Sequence, residues 1–197
     1  MKIWYLKFVL DKFERFDLLN LDNFELKDGE ILLLFSDKFD NYSYDDLNLS
    51  DKIKLRNSPN LAQNSKFKIS RSLKIYFEKN YQNIKNIPLY TSLSHSDNCA
   101  ILAISTVRVG VDLELIKDRN FSAHIDFCFS KEQRLRVANS KNQLIEFYKI
   151  WTLKEARVKL LNLGFYALDM ASDESLGAFG EIIKCSDKSF IYSVAIF

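Results

Sequence analysis

The sequence predicts an α+β fold with antiparallel sheets. Segments typical of strands and of helices occur in both halves of the chain, and they do not alternate as a parallel α/β fold requires. The chain has 197 residues and is 47% hydrophobic, which is enough for one compact core or two small ones. Its 16 Phe, 9 Tyr and 2 Trp argue against disorder.

In the first half, β-branched and aromatic residues predict strands, and apolar residues spaced three and four apart predict helices. Pro59 separates the two helices, and Ser96-Asp97-Asn98 predicts a turn between two strands. The predicted elements are a strand at 1–10, a strand at 31–35, helices at 47–57 and 70–81, and a strand, turn and strand within 91–104.

In the second half, a strand is predicted at 107–116, where apolar residues occupy alternate positions. Asp112 and Glu114 lie between those positions, so both are predicted to face away from the apolar side. The remaining predicted elements are a helix with Ser130 as its N-cap, a long helix at 142–162 that ends before Gly164, and strands near 179–183 and 190–197.

Composition excludes several classes of site. With only five glycines, the chain has no glycine-rich phosphate loop, so side chains and a metal must hold any phosphate. Three cysteines without a C-x-x-C pair predict reduced thiols instead of a disulfide frame or a zinc site. The charged N-terminus does not resemble a signal peptide, and no apolar run is long enough to span a membrane. We therefore expect a cytoplasmic protein.

The net charge of +2 is distributed unevenly. Between residues 51 and 85, nine basic residues face only two acids, Asp51 and Glu78. Such a block suits an anionic ligand with several phosphates, or an acidic protein surface. A solvated helix face is the alternative interpretation. The nine basic residues are Lys52, Lys54, Arg56, Lys66, Lys68, Arg71, Lys74, Lys79 and Lys85.

Three carboxylates carry the strongest chemical signal. Asp112 and Glu114 are two residues apart on a predicted strand, and Glu155 lies on the predicted long helix, four residues from Trp151 and from Lys159. Carboxylates on two rigid elements could hold a hard ion such as Mg²⁺, with Mn²⁺ as an alternative. Neighbouring lysines suggest a polyphosphate substrate. The negative charge that develops during its reaction needs more cations than the metal alone to stabilise it.

Four motifs in order resemble the 4′-phosphopantetheinyl transferases of the larger, Sfp type. Ser92-Leu93-Ser94-His95-Ser96 is similar to F-N-x-S-H-S, and Gly110-Val111-Asp112-Leu113-Glu114 to G-[IV]-D-[IVL]-E. Trp151-Thr152-Leu153-Lys154-Glu155-Ala156 with Lys159 is similar to W-x-x-K-E-A-x-x-K. A weaker match, Phe129-Ser130-Lys131-Glu132, is similar to F-S-x-x-E. The resemblance covers about residues 92–164.

The resemblance implies a fold and a reaction. The fold would be two similar halves with antiparallel sheets, residues 1–103 and 104–197, related by a pseudo-twofold with coenzyme A in the cleft between them. A serine of an apo carrier protein would attack the phosphorus that bears the pantetheine arm of coenzyme A. The products would be the holo carrier and adenosine 3′,5′-bisphosphate. Positioning and charge neutralisation dominate catalysis of such phosphoryl-type transfers.

The resemblance also assigns roles to individual residues. The metal ligands would be Asp112, Glu114 and Glu155, and Lys159 and Lys154 would act with Glu155 at the transferring phosphate. The remaining candidates would bind coenzyme A: Ser94 and His95 at its phosphates, Arg71 at the 3′-phosphate, and Lys54, Arg56 and Lys85 as helpers.

Two departures from the family pattern keep alternatives open. The family glutamate of F-S-x-x-E falls on Gln133, which cannot serve as a base. The base for the attacking serine would then be Lys159, Glu132 or a metal-bound water. The family's G-K-P segment is replaced around Lys85. A homologue that binds coenzyme A or a carrier without turnover is therefore one alternative, and a metal-dependent nuclease is another. For the transferase we expect a carrier-protein partner, no nucleic acid, no membrane and a monomer.

Overall fold

A computed structural model of the chain describes residues 3–9, 12–17, 26–27, 29–37, 43–80, 88–163, 177–185 and 187–197. The chain forms two compact units, residues 1–107 and 108–197. Each unit combines helices with one sheet, and every strand pair in the described ranges is antiparallel. The predicted α+β class with antiparallel sheets is therefore confirmed. The pseudo-twofold stays a prediction.

The first unit contains a five-stranded sheet. In chain order its strands are β1 (Ile3–Val9), β2 (Lys12–Asp17), β3 (Ile31–Ser36), β4 (Tyr90–Ser96) and β5 (Cys99–Ser105). They lie in the order β2-β1-β3-β5-β4, so β4 is an edge strand. Every residue of β3 and β5 is buried, which explains their continuous apolar sequences. The predicted boundary at 103/104 falls inside β5.

In the described residues of this unit, two α-helices accompany the sheet. Helix α1 (Leu49–Asn57) begins after Asn48, whose side chain accepts a hydrogen bond from the backbone N–H of Asp51 at 2.8 Å. A short 3₁₀ turn begins at Pro59, as the predicted break requires. Helix α2 (Ser65–Asn80) starts five residues before the predicted helix and packs its apolar stripe on the sheet, including Ile69, Leu73 and Phe77.

The described part of the second unit contains a three-stranded sheet and three helices. Its strands are β6 (Val109–Leu115), β7 (Gly177–Cys185) and β8 (Lys188–Ile196), in the order β6-β8-β7. Helices α3 (Ser122–Cys128) and α4 (Lys131–Asn139) precede the long helix α5 (Gln143–Leu160). Helix α5 packs on β6 and β8, and it positions the candidate site.

Strand β2 and helix α3 were not predicted. The two aromatic residues of strand β2 lie three positions apart among charged residues, and helix α3 has only seven residues, so neither has a strong apolar period. The end of α5 also differs from the prediction. Asn162 adopts a φ of 54° just after the helix, which ends α5 before Gly164, a residue outside the described ranges. No helix in the described ranges is long and apolar enough to cross a membrane.

Candidate active site

Gly110 allows α5 to lie unusually close to β6. A Cβ atom at this position would lie 2.0 Å from the backbone O of Ala156 and 2.7 Å from the backbone N of Leu160. Only glycine fits such a contact, because both atoms belong to the helix backbone. Asp112 and Glu114 follow at two-residue intervals, so they share the face of β6 that meets α5.

Lys159 joins the two elements at this face. Its Nζ lies 2.8 Å from Oδ1 of Asp112 and donates a second hydrogen bond of 3.0 Å to the carbonyl O of Val111. The Asp112 side chain is 7% exposed and that of Lys159 is 31% exposed. The pair is therefore shielded on the strand side, and the lysine head remains accessible to a ligand.

Glu155 lies close enough to this pair to respond to its charge. Burial, helped by the negative charges of Asp112 and Glu114, outweighs the opposing charge of Lys159 and raises the pKa of Glu155 from 4.5 to about 7. The three carboxylates thus share one electrostatic environment with the ammonium group of Lys159. A carboxyl group whose pKa is shifted in this way is typical of functional sites.

The donor chemistry of this cluster fits Mg²⁺, which prefers carboxylate oxygens. Within the described ranges, however, no three His, Cys, Asp or Glu side chains are gathered closely enough to form a metal site. Lys159 Nζ lies 2.8 Å from Oδ1 of Asp112, and the carboxylate has further lone pairs that could bind a metal at the same time. The metal-ligand role of Asp112, Glu114 and Glu155 stays a prediction.

The raised pKa of Glu155 predicts a pH dependence of stability. A group that binds its proton more tightly in the folded state stabilises the fold at low pH, and this contribution is lost as pH rises from about 4.5 to about 7. We expect about 1–3 kcal/mol of unfolding free energy to be lost this way by the metal-free protein, allowing for partial exposure of the group. Urea unfolding in EDTA at pH values from 5 to 8 measures this loss of unfolding free energy.

The Glu155→Gln variant is the control for this prediction, because it lacks the titrating group and keeps the side-chain shape. The difference in unfolding free energy between the variant and the unaltered protein should grow with pH, while all other titrating groups cancel. If the unfolding free energies of the variant and the unaltered protein change in parallel with pH, Glu155 keeps its usual pKa.

Trp151 anchors α5 in the core, as predicted. It is 5% exposed, stacks near Phe147 with ring centroids 6.1 Å apart, and meets His124 edge-on at 5.2 Å. A second anchor joins α5 to β8, where the hydroxyls of Thr152 and Ser193 lie 2.7 Å apart. These contacts fix the rotation of α5 and hence the direction in which Glu155 points.

Lys154 does not share the Glu155 face. Adjacent residues on a helix are about 100° apart, so Lys154 points away from Glu155 and Lys159. It is 1% exposed, an extreme value for a lysine. Its predicted role at the transferring phosphate is not tested by this arrangement and stays a prediction.

In the first unit, Arg71 is held by an acid that sequence analysis did not select. Its guanidinium donates a 2.7 Å hydrogen bond to Oδ1 of Asp51 and lies 4.6 Å from the ring centre of Phe67. Burial raises the pKa of Asp51, but the hydrogen bond and charge of Arg71 outweigh it and bring this pKa below its usual value. Asp51 is 4% exposed, so the pair is a fixed feature of the unit.

The other predicted coenzyme A residues are dispersed within the first unit. Lys54 lies 3.6 Å from Asp51, and Arg56 is exposed on the same helix. Ser94 is buried and His95 is exposed, because successive residues of β4 point to opposite faces. The predicted role of Ser94 and His95 at the phosphates of coenzyme A stays a prediction. Lys85 lies outside the described residues.

Gln133 has a structural role. Ser130 caps α4, accepting a hydrogen bond from the Gln133 N–H, while the Gln133 side chain accepts one from the Ser130 N–H. Glu132 accepts a hydrogen bond from the Ser130 hydroxyl at 2.8 Å. Hydrogen bonds from its own backbone N–H and from Ser130 lower the pKa of Glu132, which makes it a poor base near neutral pH.

Residues 108–186, which lie in the second unit, match the model of the 4′-phosphopantetheinyl transferase superfamily. This segment contains Asp112, Glu114, Glu155 and Lys159. The resemblance inferred from the motifs is therefore confirmed for the unit that holds the carboxylate cluster.

Similar curated proteins carry the same family name. Over 79 residues the chain is 30% identical to the 4′-phosphopantetheinyl transferase gsp of Aneurinibacillus migulanus, covering 40% of this chain and 33% of that protein. It is 37% identical over 76 residues to the 4′-phosphopantetheinyl transferase AcpT of Salmonella typhi, covering 36% of this chain and 40% of that protein. The 4′-phosphopantetheinyl transferase AcpT of Escherichia coli K12 is 36% identical to the chain over 77 residues, covering 37% of this chain and 40% of that protein. The chain thus spans two fifths or less of the length of these relatives.

Proposed function

We propose that the protein transfers the 4′-phosphopantetheine arm of coenzyme A to a serine of an apo carrier protein, with Mg²⁺ as cofactor. The observation that carries this proposal is the cluster of Asp112, Lys159 and Glu155 on β6 and α5, inside the segment that matches the transferase superfamily. In the reaction, the serine oxygen loses its proton to water or to the leaving product and bonds to the phosphorus that bears the pantetheine arm. The bond from that phosphorus to the leaving adenosine 3′,5′-bisphosphate breaks.

The residues of the cluster would divide this chemistry between them. Lys159 is a cation whose position is fixed by Asp112 and by the carbonyl of Val111, so it can neutralise charge on the transferring phosphate without reorganisation. Asp112, Glu114 and Glu155 would hold the metal, which would supply charge neutralisation at the pyrophosphate. The negative charge at Glu155 would depend on release of its proton, given its pKa of about 7.

Binding of coenzyme A by the first unit is a further part of the proposal. Arg71 is the best supported of these residues, since Asp51 and Phe67 fix a guanidinium that is still 14% exposed. Lys54, Arg56 and His95 remain candidates on exposure and resemblance alone, and Ser94 and Lys85 on resemblance alone. The proposed location is the cytoplasm, in keeping with three free cysteines, and the proposed state is a monomer.

The carrier partner would be recognised by charge. Carrier proteins are usually acidic around their reactive serine, so basic residues of α4 are candidates to dock one. Arg136 is 62% exposed and pairs with Glu146 at 2.7 Å. Arg134 donates to the carbonyl groups of Phe129 and Asp126, which leaves part of its charge at the surface.

Intact-mass spectrometry of an apo carrier protein tests the proposed reaction. The carrier is incubated with the protein, coenzyme A and Mg²⁺, and a parallel sample contains EDTA. We expect a mass gain of one phosphopantetheine arm that EDTA abolishes. Coenzyme A binding without a mass gain on acyl, polyketide or peptidyl carriers would favour the homologue without turnover. If neither binding nor transfer occurs and DNA is cleaved, the nuclease alternative is correct.

A further inference from the structure

The segment that follows β6, residues 117–120, is fastened to α5. The Tyr148 hydroxyl donates a hydrogen bond to the carbonyl O of Lys117 at 3.1 Å and accepts one from the backbone N–H of the same residue at 3.3 Å. Tyr148 is 0% exposed, so its hydroxyl has a fixed position. All residues of the segment are exposed, and they form a surface whose backbone is held at its first residue.

This segment lies at one end of the carboxylate cluster. Tyr148 and Lys159 are separated by about three full turns of α5, so both lie on the same side of the helix. Lys159 contacts Asp112 within β6, whereas Tyr148 contacts Lys117 just after this strand. Burial raises the pKa of Tyr148, and the negative charge of Glu114 contributes to the rise, so Glu114 lies near the same hydroxyl. The segment is therefore at the end of the cluster that is remote from Lys159.

Arg119 is a cation that this surface holds in place. Its guanidinium carbon lies 5.6 Å from the ring centre of Phe121 and 5.6 Å from that of Tyr148. Phe121 stacks in turn on Phe147 with ring centroids 3.9 Å apart, and both rings that contact Arg119 pack in the core of the unit. Contacts with two anchored rings restrict the guanidinium without using its N–H donors.

The N–H donors of Arg119 are therefore open to a partner. Among the residues that the structure describes, none forms an ion pair or a hydrogen bond with its guanidinium. The segment also carries Lys117 and Asp118, so two cations and one acid leave it a net charge of only +1. Recognition would depend on the fixed position of the guanidinium and not on a large excess of charge. Ordering an arginine on binding is costly, and the contacts with two rings reduce this cost.

We propose that Arg119 binds a carboxylate of the carrier protein next to its reactive serine, and thereby helps to determine which carrier is modified. The inference rests on the proposed function for its partner, because that serine must reach the cluster at whose end Arg119 lies. Carrier proteins are usually acidic around the serine, and a planar guanidinium binds a carboxylate through two parallel hydrogen bonds. An exposed, pre-positioned arginine suits a protein surface, whereas a small molecule typically needs a concave site.

Separate KM values for the two substrates test this role of Arg119. Arg119→Gln removes the charge and the fork, so we expect the KM for an apo acyl carrier protein to rise about tenfold, with kcat and the KM for coenzyme A unchanged. Arg119→Lys keeps the charge without the planar fork and should recover only part of the loss. Arg108→Gln is the matched control, because Arg108 is an exposed arginine just before the other end of β6, and it should change neither KM. A rise in the KM for coenzyme A alone would assign Arg119 to that substrate, and the proposal would be wrong.

Direct binding distinguishes failure of this proposal from failure of the proposed transfer. Apo carriers of the acyl, polyketide and peptidyl types are titrated into the protein by calorimetry, in EDTA and without coenzyme A. We expect Arg119→Gln to raise the dissociation constant of the carrier that binds most tightly about tenfold, with the melting temperature unchanged. If this occurs but no carrier is ever modified, the transfer is wrong and the contact between Arg119 and the carrier stands. Equal dissociation constants for Arg119→Gln and Arg108→Gln, or no binding of any carrier, would overturn the proposal.

Discussion

Replacing Glu155 with glutamine is expected to reduce phosphopantetheine transfer by about 10²- to 10³-fold without loss of stability. Glutamine keeps the shape of the side chain but cannot supply the negative charge that a divalent ion requires. The stability should even rise at pH 8, because burial and the charges of Asp112 and Glu114 disfavour an ionised Glu155 in the metal-free fold. Loss of activity together with gain of stability is typical of a functional residue and not of a structural one.

The measurement combines initial rates of carrier modification with urea unfolding of the same preparations. Raising Mg²⁺ should recover part of the rate if weaker metal binding causes the defect. Glu181→Gln is the matched control, because Glu181 is an exposed acid on β7 of the same unit. The control should retain full transfer. A Glu155→Gln enzyme as active as this control would remove Glu155 from the mechanism.

The sequence was sufficient to predict the elements that hold the cluster. The alternation of β6 and the long apolar period of α5 predicted both elements to within two residues at each end. The spacing of Asp112 and Glu114 correctly predicted one shared face. The contact that brings this face to α5 depends on Gly110, whose importance becomes clear only from the backbone atoms of Ala156 and Leu160.

Contacts between residues far apart in the chain could not be predicted from the sequence, for a physical reason. Asp51 and Arg71 are 20 residues apart, and Thr152 and Ser193 are 41 apart, so no local period connects them. Lys154 was assigned a role with Glu155 because both belong to the motif that is similar to W-x-x-K-E-A-x-x-K. The helix directs them about 100° apart, and the burial of Lys154 depends on its tertiary surroundings.

Replacing Gly110 with alanine is expected to destabilise the protein by about 3 kcal/mol or more and to abolish most transfer. The added Cβ would lie 2.0 Å from the carbonyl O of Ala156, which is helix backbone and cannot rotate away. Helix α5 must therefore move from β6, which separates Lys159 and Glu155 from Asp112. Thermal unfolding should show a melting temperature lower by roughly 6–12 °C for a chain of this size.

Gly177→Ala separates this backbone collision from the general effect of adding a methyl group to a strand glycine. A Cβ at Gly177 would lie 3.0 Å from the flexible side chain of Ile196, which can adjust, so we expect a change below about 1 kcal/mol. If Gly110→Ala proves as mild as Gly177→Ala, α5 does not pack on β6 at this distance. The 2.8 Å contact between Lys159 and Asp112 would then need another explanation, because it depends on the same close approach.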